Sequence, residues 1–255
     1  MVLNAVTYSP SSSPQTGWQC GVGVTDRAEK TLLYKRLQVT GECFWRRTLW
    51  RWRLSAPSEC TQVPIRYELA FGGGFQEPAG PDGTPEPWIA CCEQNPIGIG
   101  LLHNKQLAKM VPATRIEDPR QPIADPHAFY PLQGFGFIHR AWQPRLALAG
   151  NFNADWLANK HPRLPDDFND AHNNGAHPDL IGAGLERGHL KGNETLHLEH
   201  MLPSRSICRL TLPGYRLLAR LRLPTGVEAY QRLNADTIIV DNDAPEPTHW
   251  RVYLS

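Results

Sequence analysis

The amino-acid sequence predicts a mainly β protein, with antiparallel sheets in a sandwich or a partly open, barrel-like arrangement. Apolar and polar residues alternate with period two in several segments, and only two short segments have a helical pattern. The 23 proline residues are spread along the chain, where they interrupt helices and favour short strands joined by turns. From about Gly72 to Pro203, frequent Gly, Pro, Asn and His residues with little periodicity predict long irregular connections over the β core.

Two arginine-rich segments have the clearest alternation. In "CFWRRTLWRWRLS" (residues 43–55), Trp50, Trp52 and Leu54 share one face, and most of the arginines share the other. In "YRLLARLRL" (215–223), apolar residues alternate with arginines in the same way. Each pattern predicts a strand with one buried and one solvent-exposed face.

Shorter signals complete the predicted elements. Further strand candidates are "VPIRYELAF" (63–71) and "RLTLP" (209–213), and "ADTIIV" (235–240) with "THWRVYL" (248–254) predicts a C-terminal hairpin. One or two short helices are expected, at 103–110 and at 153–161. Asn153 is the predicted N-cap of the second helix, which Pro162 ends.

Composition and charge limit the function. The 255 residues suit one large domain, with 41% hydrophobic and 20% charged residues, as in ordinary globular proteins. A formal charge of +1 produces no overall field towards nucleic acid or an anionic membrane, so we expect neither as a partner. The chain shows no signal peptide and no run of about 20 apolar residues. We therefore expect a cytoplasmic protein with six reduced, mostly structural cysteines.

The segment "LPDDFNDAHNNGAHPD" (164–179) is the richest in polar side chains and raises the question of a metal site. A calcium loop that begins at Asp170 would have Gly175 at its sixth position. The twelfth position, which should be a bidentate Glu, is Ile181, and histidine is a poor calcium ligand. The segment is therefore not an EF-hand.

Histidines and carboxylates between residues 161 and 200 allow two further readings. Six histidines lie there, but the sequence has no H-E-x-x-H motif, and His197 and His200 would point to opposite faces of a strand. We therefore favour no bound metal and no other cofactor. Two facing carboxylates could perform acid–base catalysis, which leaves a metal-dependent or carboxylate-based hydrolase as the alternative function. Its candidate carboxylates are Asp166, Asp167, Glu186, Glu194 and Glu199.

Glycine clusters and the tryptophan–arginine run have structural explanations. "FGGGF" (71–75), "NPIGIG" (95–100) and "GFGF" (134–137) lack the strand and helix that flank a phosphate loop, so they predict tight turns and close backbone packing. The run at 45–53 could stack on single-stranded bases. Its aromatic and arginine residues alternate between faces, which favours core packing behind solvated arginines.

Seven segments together form a pattern that extends from about Tyr8 to Arg251. They are "YELAFGGG" (67–74), "NPIGIG" (95–100), "VPATRIEDPRQPI" (111–123), "GFGFIHRAWQPRLALAGNFNADW" (134–156), "HPRLPDDFND" (161–170), "LKGNETLHLEHMLP" (190–203) and "ADTIIVDND…HWR" (235–251). In this order they resemble the family known as domain of unknown function 2169, which is found in bacterial type VI secretion clusters. The W-x-P-R element at 142–145 with L-P-x-D-F at 164–168 is the most specific combination.

The resemblance implies a cytoplasmic adaptor or chaperone rather than an enzyme. Such a protein holds a toxic effector and helps to load it onto the PAAR-repeat tip or the valine–glycine-repeat spike. It implies one domain over residues 1–255, without the strand-rich segment that usually precedes the position of Val2, as in a truncated member or a divergent subtype. The family's usual Tyr-Asp pair is replaced here by Phe152 and Asn153.

The resemblance also selects candidate binding residues, which have a structural explanation beside the functional one. In segment 164–179 it implies Asp167 as a turn-fixing acceptor and Phe168 as a buried anchor. Buried charges need partners, which singles out Arg145 and Glu194. Unpaired strand edges would suit an extended segment of a client protein. The candidate residues are Gly72, Gly73, Asn95, Pro96, Gly98, Trp142, Pro144, Arg145, Trp156, Asp167, Phe168, Gly192 and Glu194.

Overall fold

The structure is a computed structural model that describes residues 2–10, 12–76, 79–84, 86–103, 109–173, 182, 184–185, 190–216, 218–233, 235–241 and 249–254. For residues 2–4, 235–241 and 249–254 it describes the backbone only. The predicted fold class is confirmed: within these ranges the protein is mainly β, with several antiparallel sheets, one short α-helix and no closed barrel.

The described strands and the helix have the following bounds. The strands are β1 (Val2–Tyr8), β2 (Gly17–Thr25), β3 (Thr31–Thr40), β4 (Phe44–Arg47), β5 (Trp52–Leu54), β6 (Gln62–Ile65), β7 (Phe71–Gln76), β8 (Trp88–Cys92), β9 (Ile99–Gly100), β10 (Met110–Pro112), β11 (Ile116–Glu117), β12 (Thr195–Leu202), β13 (Arg205–Thr211), β14 (Leu218–Arg222), β15 (Glu228–Arg232), β16 (Ala235–Asp241) and β17 (His249–Leu254). The helix is α1 (Ala154–Asn159), and short 3-10 turns span Tyr67–Leu69, Arg145–Ala149 and Asp170–Asn173.

The largest sheet has five strands in the order β11-β3-β2-β12-β13, with antiparallel neighbours throughout. Alternation in β2 directs Trp18, Cys20 and Val22 into the core, while Gly21 and Gly23 lie on the outer face. Burial raises the pKa of the Cys20 thiol to about 12, so this cysteine is protonated and unreactive at neutral pH. All six cysteines are free.

A four-stranded sheet, in the order β17-β16-β1-β6, packs against the five-stranded one. Its side chains Ala5, Val63 and Ile65 belong to the same buried cluster as the inner face of β2. Trp18 Nε1 donates to Thr7 Oγ1 at 2.9 Å, and Thr7 Oγ1 donates to the carbonyl of His200, also at 2.9 Å. The two sheets therefore share one core, in the manner of a sandwich.

Two three-stranded sheets surround a second buried cluster. Their orders are β8-β7-β9 and β10-β4-β5. Cys43, Trp45 and Phe71 pack together in this cluster, and Leu102 and Ile123 lie beside them. The glycine-rich strand β7 is the central strand of the first of these sheets, and its Phe71 contributes to the cluster.

The prediction of one continuous strand over residues 43–55 is wrong. The segment forms the hairpin of β4 and β5, in which Thr48 Oγ1 accepts from the Arg51 backbone N–H at 3.2 Å to close the turn. Because the chain reverses between β4 and β5, Trp50, Trp52 and Leu54 do not form one buried face. Trp50 is 93% exposed at the tip beside Leu49, and Trp45 is the buried tryptophan of the hairpin. Trp52 is half-buried and Leu54 is exposed.

The prediction of a buried apolar face on 215–223 is also wrong. Strand β14 pairs only with β15 among the described residues, and Tyr215, Leu221 and Leu223 of the predicted face are exposed. The strand prediction at 63–71 is confirmed only in its first part, since β6 ends at Ile65 and a 3-10 turn spans Tyr67–Leu69. The other strand predictions are confirmed at β13 and at the antiparallel pair β16–β17, whose connection lies outside the described residues.

The helix predicted at 153–161 is confirmed as α1, and Asn153 is its N-cap, with Oδ1 accepting from the Trp156 backbone N–H at 2.9 Å. Of the helix predicted at 103–110, residues 104–108 lie outside the described part, and Met110 begins β10. No helix in the described ranges is both long and apolar enough to cross a membrane.

Candidate functional site

A turn that contains the buried Asn95 fixes the backbone of the glycine-rich strand β7. Asn95 Nδ2 donates to the carbonyls of Tyr67 at 2.8 Å and Phe71 at 2.9 Å, and its own carbonyl accepts from the Gly73 N–H at 2.8 Å. Gly72 has φ +141, and a Cβ there would lie 2.2 Å from the Asn95 carbonyl oxygen. Only glycine permits this conformation and this approach.

The following residues of "NPIGIG" tighten the same turn. The Gly98 N–H donates to the Asn95 carbonyl at 3.1 Å, and a Cβ on Gly98 would lie 2.5 Å from Asn95 Nδ2. Pro96 is half-buried between them. Ile97 extends from this turn towards solvent with 44% of its surface exposed. The predicted close backbone packing is therefore confirmed at 71–75 and 95–100, although 71–75 lies in strand β7 and not in a turn. The turn at 95–100 presents one apolar side chain at the surface.

Ile97 forms one edge of an apolar cleft of about 650 Å³. The 3-10 turn of Tyr67 and the loop before Trp142 form the other walls. Tyr67 and Trp142 meet edge to face, with ring centroids 5.4 Å apart, and the His139 ring lies 5.3 Å from that of Trp142. The lining residues are Ile65, Arg66, Tyr67, Glu68, Ile97, Gln133, Gly134, Phe135, Gly136, Phe137, His139 and Trp142.

Hydrogen bonding fixes the cleft wall. The Tyr67 hydroxyl donates to the Phe137 carbonyl at 2.8 Å, and burial raises the pKa of this phenol, which keeps it a neutral donor. Arg66 and Glu68 lie exposed on either side of Tyr67. Of the described lining residues, Glu68 alone has a carboxylate, so the cleft lacks the carboxylate pair that acid–base hydrolysis needs. Its chemistry suits an apolar side chain with polar neighbours.

Arg145 supports the same wall from behind. Its buried guanidinium donates from Nη1 to the Ile138 carbonyl at 3.0 Å and from Nε to the His172 carbonyl at 2.8 Å. His172 Nδ1 donates in return to the Arg145 carbonyl at 3.0 Å. The guanidinium carbon lies 5.1 Å from the centroid of the Phe137 ring. Pro144, after a cis peptide bond, precedes the 3-10 turn of Arg145.

Arg145 has the partners that a buried charge needs, and they are backbone groups. Within the described residues its hydrogen bonds go to backbone carbonyls and no carboxylate forms an ion pair with it. Loss of hydration lowers the pKa of the guanidinium, and the nearby Arg140 adds to the effect. Arg145 is a structural clamp that joins the cleft wall to the segment around His172.

Glu194 has the opposite charge and a comparable role. Its carboxylate accepts from the backbone N–H groups of Lys191 at 2.7 Å, Gly192 at 2.9 Å and Asn193 at 3.0 Å. This cradle of three donors satisfies a buried charge. It fixes the turn that leads into β12, and the structure does not bring Gly192 or Glu194 into the lining of the cleft.

The polar segment 164–179 is described as far as residue 173. Asp167 accepts from the Asn151 backbone N–H at 3.0 Å and from its side-chain amide at 2.6 Å, so its turn-fixing role is confirmed. Phe168, which was predicted as a buried anchor, is only half-buried, with its ring 5.9 Å from that of His172. Trp156 donates from Nε1 to the Arg163 carbonyl at 2.8 Å. Of these residues Phe168 contacts His172, and none of them lines the cleft.

The described carboxylates of 161–200 have separate partners. Asp166 pairs with Lys160 at 2.8 Å, and Glu199 accepts from the Tyr34 hydroxyl at 2.9 Å and pairs with Arg36 at 3.2 Å. Glu186 lies outside the described residues. His197 Nε2 lies 2.9 Å from Thr25 Oγ1 on the outer face of the large sheet. In the described part of the chain, no group of three His, Cys, Asp or Glu side chains could hold a metal ion.

Comparison with known proteins adds one relationship. A family described as an uncharacterized protein conserved in bacteria, domain of unknown function 2169, matches residues 1–248. The chain belongs to this family. No curated protein and no solved structure matches it. The family match covers every segment that forms the cleft.

The candidate residues of this domain-of-unknown-function 2169 protein divide into three groups. Trp142 lines the cleft, Asn95 and its glycines shape the turn beneath Ile97, and Glu194 fixes a turn outside the lining. Sequence reasoning missed Tyr67, Ile97, Phe135, Phe137 and His139 as lining residues. The sequence held a signal for two of them. In "GFGF" (134–137) each phenylalanine follows a glycine, which has no side chain to cover the ring.

Proposed function

We propose that the protein is a cytoplasmic adaptor or chaperone without catalytic activity. It binds a toxic effector and helps to load it onto the type VI secretion spike or the PAAR-repeat tip. The observation that carries this proposal is the apolar cleft of about 650 Å³ between Ile97, Tyr67 and Trp142. Apolar depressions with polar rims are typical of sites that bind partner proteins or ligands.

The construction of the cleft supports a binding role. Three of the family-like segments, at 67–74, 95–100 and 134–145, meet there. Buried hydrogen bonds from Asn95, Tyr67 and Arg145 hold the walls in place before any partner arrives. A pre-formed apolar pocket binds a large side chain with a small ordering cost. The exposed charges of Arg66 and Glu68 would then orient the backbone or polar groups around that side chain.

The test compares two exposed isoleucines. Ile97 at the cleft is 44% exposed, and Ile207 on β13, which does not line the cleft, is 48% exposed. Tagged wild type, Ile97→Glu and Ile207→Glu are used to capture partners from lysate of the native host while its type VI genes are expressed. We expect wild type and Ile207→Glu to recover an effector, spike or PAAR component, and Ile97→Glu to recover at least about tenfold less.

Two results would contradict the proposal in different ways. Equal recovery by all three proteins would remove the cleft as the binding site and leave the adaptor role. Failure of the folded wild type to recover any type VI component would remove the adaptor role itself. Stoichiometric zinc or manganese in that same preparation would then favour the hydrolase.

A further inference from the structure

A second surface lies on the hairpin of β14 and β15, and no residue of this hairpin lines the cleft. Among the described residues, the two strands pair with each other and with no further strand. A two-stranded hairpin is marginally stable in water, whereas an added strand or a packing partner stabilises it. Within the described residues, each outer edge has backbone groups that pair with no strand and are available to an added one.

One face of this hairpin is apolar. The register places Leu221 opposite Ala229, and Leu223 and Val227 continue the same face at the turn, where Leu223 N–H donates to the Val227 carbonyl at 2.9 Å. Leu221, Leu223 and Val227 are 54%, 49% and 58% exposed. A contiguous set of exposed apolar side chains on an ordered strand pair marks an interaction surface.

The opposite face carries the three arginines of the hairpin, together with Leu218, which lies opposite Arg232. Arg220 lies opposite Tyr230, and Arg222 lies opposite Glu228. The Glu228 carboxylate pairs with Arg220 and accepts a hydrogen bond from the Tyr230 hydroxyl at 3.3 Å. Within the described residues, Arg222 and Arg232 form no ion pair, so two guanidinium groups on this face are available to a carboxylate.

The charge of this region differs from that of the whole chain. Residues 205–232 contain six arginines and one acidic residue, Glu228, which makes +5, whereas the whole chain has +1. The remaining residues therefore total −4. The hairpin itself, residues 218–232, contributes three of these arginines and Glu228, a formal +2, which attracts acidic partners.

We propose that the β14–β15 hairpin binds an extended polypeptide segment in which apolar and acidic residues alternate. An added strand continues the pleat, so its alternate side chains fall on the two faces of the hairpin. The apolar residues of the segment cover Leu221 and its neighbours, and the acidic residues meet Arg222 and Arg232. This proposal concerns a different surface from the cleft and does not depend on it.

Other polyanions fit the two faces less well. Single-stranded nucleic acid on the face with the arginines would leave Leu221 and Leu223 exposed to water, and Tyr230 is the only aromatic residue of β14 and β15 on which a base could stack. An anionic bilayer that took up the apolar face would have the arginines on the side away from its headgroups. The alternating segment satisfies both faces at once.

The test uses a synthetic fluorescent peptide of about nine residues, the length of a long strand, in which valine and glutamate alternate. Its anisotropy is measured with wild type, with Arg222→Glu/Arg232→Glu, with Leu221→Ser, and with Arg46→Glu/Arg53→Glu. The last variant is the matched control, because Arg46 and Arg53 are exposed and lie opposite each other on the β4–β5 hairpin. We expect both β14–β15 variants to bind at least about tenfold more weakly and the control to change less than about twofold.

Four results would overturn the proposal. These are equal loss of affinity in the control, equal binding of a serine–glutamate peptide, unchanged binding by both β14–β15 variants, and preference for single-stranded DNA or phosphatidylserine vesicles over the peptide. Thermal unfolding of every variant accompanies the titrations. If the double arginine variant unfolds early, Arg222→Gln/Arg232→Gln, which removes the charge without reversing it, takes its place with the same expected loss.

Discussion

The segments that carry the family resemblance, here called the framework, lie in a different environment from the two arginine-rich hairpins, β4–β5 and β14–β15. In the framework, Asn95, Arg145 and Glu194 are buried, and their side chains bond mainly to backbone groups. In the hairpins, Trp50 at one tip and Leu221 on the other hairpin are exposed, and neither belongs to a segment that carries the family resemblance. The buried side chains of the framework therefore stabilise the fold, whereas the hairpins place large apolar side chains at the surface.

This contrast distinguishes residues that stabilise the fold from residues that are free to bind a partner. A glycine or a buried charge in the framework acts on the path of the backbone, so its loss changes the free energy of unfolding. An exposed apolar residue on a hairpin contributes little to folding, so its loss changes binding alone. Substitutions at residues of each kind test this distinction.

The largest effect is expected at Gly72. Gly72→Ala places a Cβ 2.2 Å from the Asn95 carbonyl oxygen in a backbone conformation with φ +141. The clash and the strain together should lower the free energy of unfolding by about 3–5 kcal/mol, measured by urea denaturation. Gly83→Ala is the control, since φ is +76 there but no atom lies within 4 Å of the added Cβ. Equal losses in the two variants would mean that strain alone acts and that the Asn95 turn can move away.

Glu194 should show the next largest effect. Glu194→Gln keeps the shape but replaces one acceptor oxygen with a donor that faces backbone N–H groups, so at least one of three charge-assisted bonds is lost. We expect a loss of about 2–3 kcal/mol. Glu199→Gln, on the strand β12 that follows Glu194, should cost less than about 1 kcal/mol because its partners Tyr34 and Arg36 are side chains near solvent. A loss at Glu199 as large as that at Glu194 would remove the distinction between a framework charge and a surface charge.

The sequence predicted the fold class and several elements because local signals determine them. Period-two alternation identified β6 and β13, and the Asn153 cap with Pro162 identified α1. The same alternation failed at residues 43–55 and 215–223 in what it predicted about burial. Periodicity shows that a strand has two different faces, but the cover over the apolar face comes from elsewhere in the chain or from a partner.

The candidate site could be predicted only in part for a related reason. Asn95, Trp142 and Arg145 were selected, but their convergence behind one cleft depends on contacts between residues far apart in the chain, such as Tyr67 with Phe137. Arg145 was expected to need a partner, without any indication of which kind. The structure pairs it with the carbonyls of Ile138 and His172, and no residue pattern announces a backbone carbonyl as a partner.

Asp167 should produce a smaller effect, limited to acidic pH. Hydrogen bonds from the Asn151 backbone and side chain hold the pKa of Asp167 below its usual 3.8. Because the folded-state pKa lies below the unfolded one, this stabilisation is complete above the unfolded value and is lost as pH falls through the folded one. The melting temperature of wild type should therefore fall more than that of Asp167→Asn between pH 5 and pH 2.5. Parallel curves, or a carboxyl titration by NMR at or above 3.8, would contradict the role of Asn151.

The smallest effect on stability is expected at Trp50. Trp50→Ser removes a side chain that is 93% exposed at the β4–β5 tip, so the free energy of unfolding should change by less than about 0.5 kcal/mol. Trp45→Ala, in the same hairpin but buried against Phe71, should cost about 3–5 kcal/mol. A loss above about 1 kcal/mol in Trp50→Ser would mean that the tip is packed in solution. Measuring this loss at several protein concentrations would then show whether a second copy of the chain covers the tip. In that case the β4–β5 hairpin forms part of an interface.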